Sequence, residues 1–325
     1  MTSRIAIVGG GGGVGASLAF NLLLAEAPYD IALVDGRSGM ARSHEMDLQQ
    51  VVAQGATGSV EIVELGAIAD ADVLVISAAV PLTVNRSRMV YLRDNAAIVA
   101  EIGAALPDGW PGVALMVTNP VDPLCTLLWR RHGLDRRRLL GYTANDSLRL
   151  RTAIGEQLGV RSSAVDAWVL GEHGDHFVPL LDRVRVDGEP VTLGPAQADA
   201  AERFVRQWYE QHVALDSGRS STWTTGRGLA RMVAALSSDE GELWPASVVL
   251  DGEYGVSGVA LTVPVTLGSG EVRELHEWEL SDAQQTAMAA AAAAVRGAAD
   301  PAMNHAERPI SRADCRQSCS IMPFR

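Results

Sequence analysis

Residues 5–20 read IAIVGGGGGVGASLAF, and this stretch decides the fold. An apolar run of strand type, Ile5 to Val8, enters five consecutive glycines, and Gly15 then opens a segment of helical spacing. Strand, glycine turn and helix in that order place main-chain N–H groups and a positive helix terminus where a pyrophosphate would sit. Gly9, Gly12 and Gly15 match the glycine spacing, with Val14 beside them. So glycine-rich a run fits many spacings, and the next strand carries the discrimination. In IALVDG the second strand ends on Asp35, twenty residues after Gly15, where an acid accepts hydrogen bonds from the adenosine ribose. A carboxylate there also repels the extra phosphate of NADP, so the expected cofactor is NAD. Arg37 nearby reads as a solvated surface arginine.

Outward from this unit, the first half alternates short apolar runs (Ile31–Val34, Val73–Ser77, Val113–Val117) with helical stretches such as Val90–Leu106. That alternation predicts an α/β fold, a Rossmann-type doubly wound parallel sheet. The second half is less regular and predicts a mixed α+β catalytic or substrate domain. Strands are expected over 164–170, 247–250 and 256–267, a hairpin at Asp187-Gly188, and helices over 196–215, 221–236 and 282–297. The change of pattern divides the chain into 1–144, 145–300 and, from the polar, proline-containing stretch after Asp300, a surface tail over 301–325.

Composition narrows the function. The 325 residues are 47% hydrophobic and 20% charged, with a net charge of −12. A basic face for nucleic acid is not expected. No apolar run reaches the ~18 residues of a membrane span, and the opening MTSRIAIVGG lacks the basic and apolar segments of a secretion signal. The three cysteines, Cys125, Cys315 and Cys319, read as free thiols of a reducing compartment, so a cytoplasmic protein is expected. All 27 basic residues are arginine. Without lysine there is no Walker phosphate loop, no Schiff-base lysine and no Tyr-x-x-x-Lys dehydrogenase pair. No Cys/His cluster has zinc spacing, and no metal is expected.

Four segments carry candidate chemistry. VTNPVD presents Asn119 at the end of a strand. NDSLRLR holds Asp146 and Arg149 three apart, on one side of a helix. GEHGDHFVPL sets His173 in a glycine-flanked turn, and PLTVNRSR carries Arg86 and Arg88 ahead of a helix. In this combination, together with DGEYGVSGVALTVPVTLG, the chain resembles the lactate/malate dehydrogenase family over about residues 4 to 298.

The resemblance implies a hydride moved between NAD and C2 of a small 2-hydroxy or 2-oxo acid. It makes His173 the acid/base and Asp146 its orienting carboxylate. Arg149 grips the substrate carboxylate, and Arg88 polarises the C2 oxygen. Asn119 bonds that oxygen or places the nicotinamide, Asn95 lies on the cofactor side, and Ser221 or Thr222, before Trp223, lines the far wall. Counting back seven from Asn95 favours Arg88 over Arg86 as the catalytic arginine. The other six histidines take structural readings, His176 being the nearest rival.

One position departs from the family. Oxaloacetate-reducing relatives place an arginine six residues before the catalytic one, and lactate-type relatives often a glutamine; here it is Leu82. A second substrate carboxylate facing leucine would lack a partner, which implies a neutral or apolar side chain. Arg86 turned inward would restore a malate dehydrogenase. A catalytically idle NAD-binding protein is the alternative of another class. The family resemblance also implies a homodimer or homotetramer.

Overall fold

The computed structural model describes residues 2–81 and 88–306, with Arg88 and residues 304–306 described by their main chain only. In the first half the elements are β1 (Ser3–Val8), α1 (Gly13–Leu23), β2 (Tyr29–Val34), α2 (Ser38–Ala53), β3 (Ser59–Ile62), β4 (Val73–Ile76), α3 (Leu92–Ala104), β5 (Val113–Met116), α4 (Val121–His132) and β6 (Leu139–Tyr142). Their strands run parallel in the order β3-β2-β1-β4-β5-β6, with Ile5 level with both Ile31 and Val73. Along β1, Ile5 and Ile7 belong to one core and Ala6 and Val8 to another, all fully buried. Helices cover both faces, which is why these strands read as unbroken apolar runs and not as alternation. The order reverses between β1 and β4, and the crevice at the carboxyl ends of the strands opens there.

The second half continues the same sheet. After α5 (Ala144–Leu158) come the short strands β7 (Val165–Asp166), β8 (Val169–Gly171), β9 (Phe177–Pro179), β10 (Arg185–Val186) and β11 (Glu189–Pro190). Helices α6 (Pro195–Ala214) and α7 (Thr222–Ser237) follow, then β12 (Glu242–Asp251), β13 (Ser257–Gly268), β14 (Glu271–Leu275) and α8 (Asp282–Ala306). β12 joins β6 antiparallel and carries the sheet on through β13, β8 and β9, while β7, β10 and β11 make a small separate sheet.

Two sequence expectations are corrected, and a third is met by a shorter element. The single strand over 164–170 is two, because the segment leaves the small sheet at Asp166 and enters the large one at Val169. The hairpin at Asp187-Gly188 is present, both residues having positive φ, but its strands are only two residues each. Helix α8 does not stop at Gly297. It runs past Pro301 to Ala306, because Ala302 is buried in the core of α3 and α4 with Met303 packed against it, and Asp300 pairs with Arg130 at 2.6 Å. Tertiary packing outweighs the local polarity there. Residues 307–325, with Cys315 and Cys319, lie outside the described residues.

Candidate active site

The glycine run makes a close-approach turn. Gly9 and Gly10 both donate their N–H to the Val34 carbonyl (2.8 and 3.1 Å), Gly12 donates to the Gly9 carbonyl (2.9 Å), and α1 starts directly after Gly12. A Cβ on Gly15 would stand 2.4 Å from the Gly9 oxygen, so only glycine lets the turn lie this close to the helix. Asp35, at the end of β2, accepts the Gly11 N–H (2.9 Å) at the rim of this turn. Arg37 is more than a solvated arginine: its main-chain N–H and its Nε both donate to Asp35 Oδ1 (2.9 and 3.1 Å), and its Nη2 to Oδ2 (3.4 Å). The side chain stays 58% exposed, so the pair sits at the mouth of the crevice.

Deeper in, α5 and the β8–β9 turn bring Asp146, Arg149 and His173 together. Thr143 precedes α5, and Asp146 falls in its first turn, where the helix dipole favours a carboxylate. One helical turn on, Arg149 donates from Nη1 to Asp146 Oδ1 (2.7 Å). The other carboxylate oxygen, Oδ2, bonds His173 Nδ1. His173 reaches it because Gly171, with φ of +84°, turns the chain where a Cβ would meet the His176 carbonyl at 2.7 Å. All three side chains are buried. With Asp146 ionised, Nδ1 carries the proton, and the tautomer and ring plane are set together.

His176 pairs with Glu172, its Nδ1 2.8 Å from Oε2, and not with Asp146. Asn95, fully buried, donates to the Asn119 carbonyl (2.7 Å) and accepts the Val80 N–H (2.9 Å), so its amide holds two loop walls at fixed separation.

A cleft of about 250 Å³ joins these elements, lined among others by Val14, Asn95, Asn119, Arg149, His173 and Ser221. A smaller cavity of about 170 Å³ adjoins it, and Asp146, Arg149 and His173 face it. Gly9, Gly12, Gly15 and Asp35 lie toward the β1–β2 edge, outside the lining of that cleft. Leu82 and Arg86 lie outside the described residues, as does the side chain of Arg88, whose main chain opens the single turn before α3.

These features fit a dinucleotide: a Cβ at Gly9 or Gly15 would collide with main chain at 2.5 and 2.4 Å, so the turn stays bare of side chains where a pyrophosphate would approach, and Asn119 Oδ1 is buried in the cleft wall with no hydrogen-bond partner among the described residues. No group of three or more potential metal ligands occurs among the described residues, and no helix there is long and apolar enough to cross a membrane.

Several residues of this site escape sequence reasoning. Asp122, inside the quoted VTNPVD, is completely buried and accepts the His173 N–H (2.6 Å) and the Ser247 hydroxyl (2.5 Å). Burial lifts its carboxyl to about 7, the neighbouring charges of Glu172 and Asp146 pushing the same way and the two hydrogen bonds opposing. In the sequence Trp208 reads only as part of an amphipathic helix and His212 only as a structural histidine. In the fold both line the cleft, and the Arg149 guanidinium lies 3.9 Å from the Trp208 ring centre. Their spacing of four was the available signal.

The comparisons with known proteins follow the same division. Residues 3–141 match the lactate/malate dehydrogenase NAD binding domain, and residues 143–305 match the alpha/beta C-terminal domain of the same family. A malate dehydrogenase of Halobacterium salinarum is 36% identical over 284 residues, covering 86% of this chain and 92% of the relative. L-lactate dehydrogenase 1 of Bacillus cereus is 31% identical over 297 residues, 87% and 93% of the two chains. Among solved structures, the malate dehydrogenase of Cryptosporidium parvum shares the fold with a TM-score of 0.87 at 22% identity, covering 94% of this chain and all of that one. The lactate dehydrogenase of Cryptosporidium parvum, complexed with lactic acid and nicotinamide adenine dinucleotide, superposes with a TM-score of 0.85 at 25% identity, covering 94% of this chain and 99% of that one.

Fold, glycine cradle and family match together define an NAD-dependent dehydrogenase of 2-hydroxy acids. The chain belongs to the lactate/malate dehydrogenase family.

Proposed function

We propose that the chain interconverts a small 2-hydroxy acid and its 2-oxo acid, with His173 as acid/base, and that the substrate's side chain is neutral or apolar. The observation that carries the acid–base assignment is the Asp146 carboxylate shared between His173 and Arg149 on the wall of one cleft. NAD, when bound, supplies the hydride acceptor, or the donor in reverse. Gly9, Gly12, Gly15 and Val14 would hold its phosphates, Asp35 its ribose, and Asn95 and Asn119 the wall beside the nicotinamide.

The remaining steps belong to this chain's residues. Asp146 holds the imidazole so that His173 takes the hydroxyl proton in oxidation and returns it in reduction. Arg149 binds the substrate carboxylate with a two-pronged hydrogen bond. Arg88, assigned from sequence alone, stabilises charge developing on the C2 oxygen. Ser221 closes the far side of the cleft, and Leu82 meets the substrate's side chain.

A second reading, malate dehydrogenase with Arg86 pairing the second carboxylate, is favoured by the names of the most similar relatives, the Halobacterium salinarum enzyme among them. NADH consumption with pyruvate, longer alkyl 2-oxo acids and oxaloacetate separates the two. Higher kcat/KM for a neutral acid supports the first reading, and preference for oxaloacetate supports the second. No turnover of any of them supports the idle binding protein. A cytoplasmic homodimer or homotetramer completes the proposal, and a monomer mass by sedimentation at micromolar concentration refutes that part.

A further inference from the structure

The cleft contains a stack of planar groups that the acid–base chemistry does not use. On α5, Arg149 sets its guanidinium 3.9 Å from the ring centre of Trp208 on α6. His212, one turn further along α6, stacks on Trp208 with ring centres 4.9 Å apart and planes 12° from parallel. Its Nε2 lies 2.9 Å from the Arg219 carbonyl, in the connection that brings Ser220 and Ser221 to the cleft. Arg149, Trp208, His212 and this connection therefore form one continuous packed series along the substrate end of the cleft.

A guanidinium is weakly hydrated on its flat faces and makes its hydrogen bonds along its edges. Asp146 accepts one N–H of Arg149, from Nη1 to Oδ1. An indole against the flat face restrains the group's tilt without competing for any N–H, and the ring's negative face favours the cation there. Both contacts bear on the plane in which the arginine edge meets a carboxylate.

We infer that Trp208 is a positioning residue for substrate binding: it holds the Arg149 guanidinium in the plane that receives the carboxylate of the 2-oxo acid, and His212 in turn holds Trp208. This rests on the role given to Arg149 above. Because the carboxylate is gripped in ground and transition state alike, losing the indole should raise KM and leave kcat nearly unchanged.

The test uses the full chain with NADH and the variants W208A, W208F and W208L. For whichever of pyruvate or oxaloacetate the wild type turns over better, W208A should raise KM by about tenfold while kcat stays within about threefold. Oxamate, a carboxylate mimic of a 2-oxo acid, should bind the NADH complex correspondingly more weakly in a calorimetric titration, with NADH affinity unchanged. W208F should recover most of the loss, because it keeps an aromatic face. W208L fills similar space without one and should not. Leucine performing as well as phenylalanine would show that Trp208 only fills volume, and the inference falls. It also falls if W208A loses kcat and KM stays put. The phenylalanine–leucine comparison stands even if the alanine variant fails to fold. Wild type that neither turns over a 2-oxo acid nor binds oxamate overturns the functional reading and this inference together. A wild-type-like oxamate affinity in W208L overturns this inference alone.

Discussion

The carboxylate of Asp122, at the start of α4, accepts the main-chain N–H of His173 across 2.6 Å, although the two residues are 51 apart in sequence. The bond pins the turn that carries the proposed acid/base, and it draws on a group with no exposure to solvent. Burial is the main cause of its carboxyl rising to about 7. Between the ordinary value of about 3.9 and that raised value, the folded chain binds more protons than the unfolded one. This group's contribution to stability is therefore fully present below the lower value and is lost as pH rises through about 7. Asp122→Asn imitates the neutral acid: its oxygen can accept the His173 N–H and its amide can donate to Ser247. The variant should lose that pH slope. Melting temperatures taken at about pH 5 and about pH 8 should differ by a few degrees less in Asp122→Asn than in wild type. Equal slopes would mean that Asp122 keeps an ordinary carboxyl in the fold.

His173 and Asp146 give the sharpest activity prediction. His173→Ala should lower kcat by on the order of 10²–10⁴ with NADH binding nearly intact, because the proton step is removed and the glycine cradle is not touched. Asp146→Asn should also slow turnover, since an amide facing Nδ1 no longer stabilises imidazolium and can select the wrong tautomer. Stopped-flow turnover alongside an NADH titration separates chemistry from binding. A His173→Ala enzyme within a few-fold of wild type would take the histidine out of the mechanism.

The Asp35–Arg37 pair bears on cofactor choice. In the proposed role Asp35 would repel a 2′-phosphate, while Arg37, donating to both carboxylate oxygens, offsets part of that charge. The arginine is 58% exposed, so solvent screens it and the effect is small. Arg37→Ala should widen the preference for NADH over NADPH by a few-fold, and Asp35→Ser should narrow it. The ratio of kcat/KM for the two cofactors measures both. If NADPH serves the wild type as well as NADH, the role given to Asp35 is wrong.

Much of this arrangement was legible in the sequence, for physical reasons that also mark where legibility ends. The Gly9–Gly15 run followed by Asp35 reads directly because it is local: strand, turn and helix lie within one short stretch. Asp146 and Arg149 read as a pair because three residues on a helix share a side. His173 could be joined to them only through family resemblance, since no local rule brings a turn after β8 onto α5. Asp122 was quoted within its motif and passed over, because burial is a property of the packed sheet. Trp208 went the same way: on a helix, an aromatic at apolar spacing looks like core until the partner helix is placed. Proline and polar residues after Asp300 suggested a tail, but the packing of Ala302 against α3 and α4 lies outside anything their spacing shows.

On the proposed reading, substrate choice turns on Leu82 and Arg86, which sequence alone brings to the site. A hydrophobic wall separates neutral side chains weakly, by ~1–3 kcal/mol per methylene. Discrimination against oxaloacetate should be stronger, because a second carboxylate against leucine is desolvated without a partner. Wild type is therefore expected to show higher kcat/KM for pyruvate or a longer alkyl 2-oxo acid than for oxaloacetate, and Leu82→Arg should move the preference toward oxaloacetate by offering a two-pronged partner. Because the most similar relatives carry malate dehydrogenase names, the opposite result has a defined follow-up. If wild type prefers oxaloacetate, Arg86→Ala should abolish that preference while leaving pyruvate reduction within a few-fold. Selective loss of that kind assigns the second carboxylate to Arg86 and ends the argument from leucine. Equal loss with both acids would instead mean that Arg86 serves a step common to them.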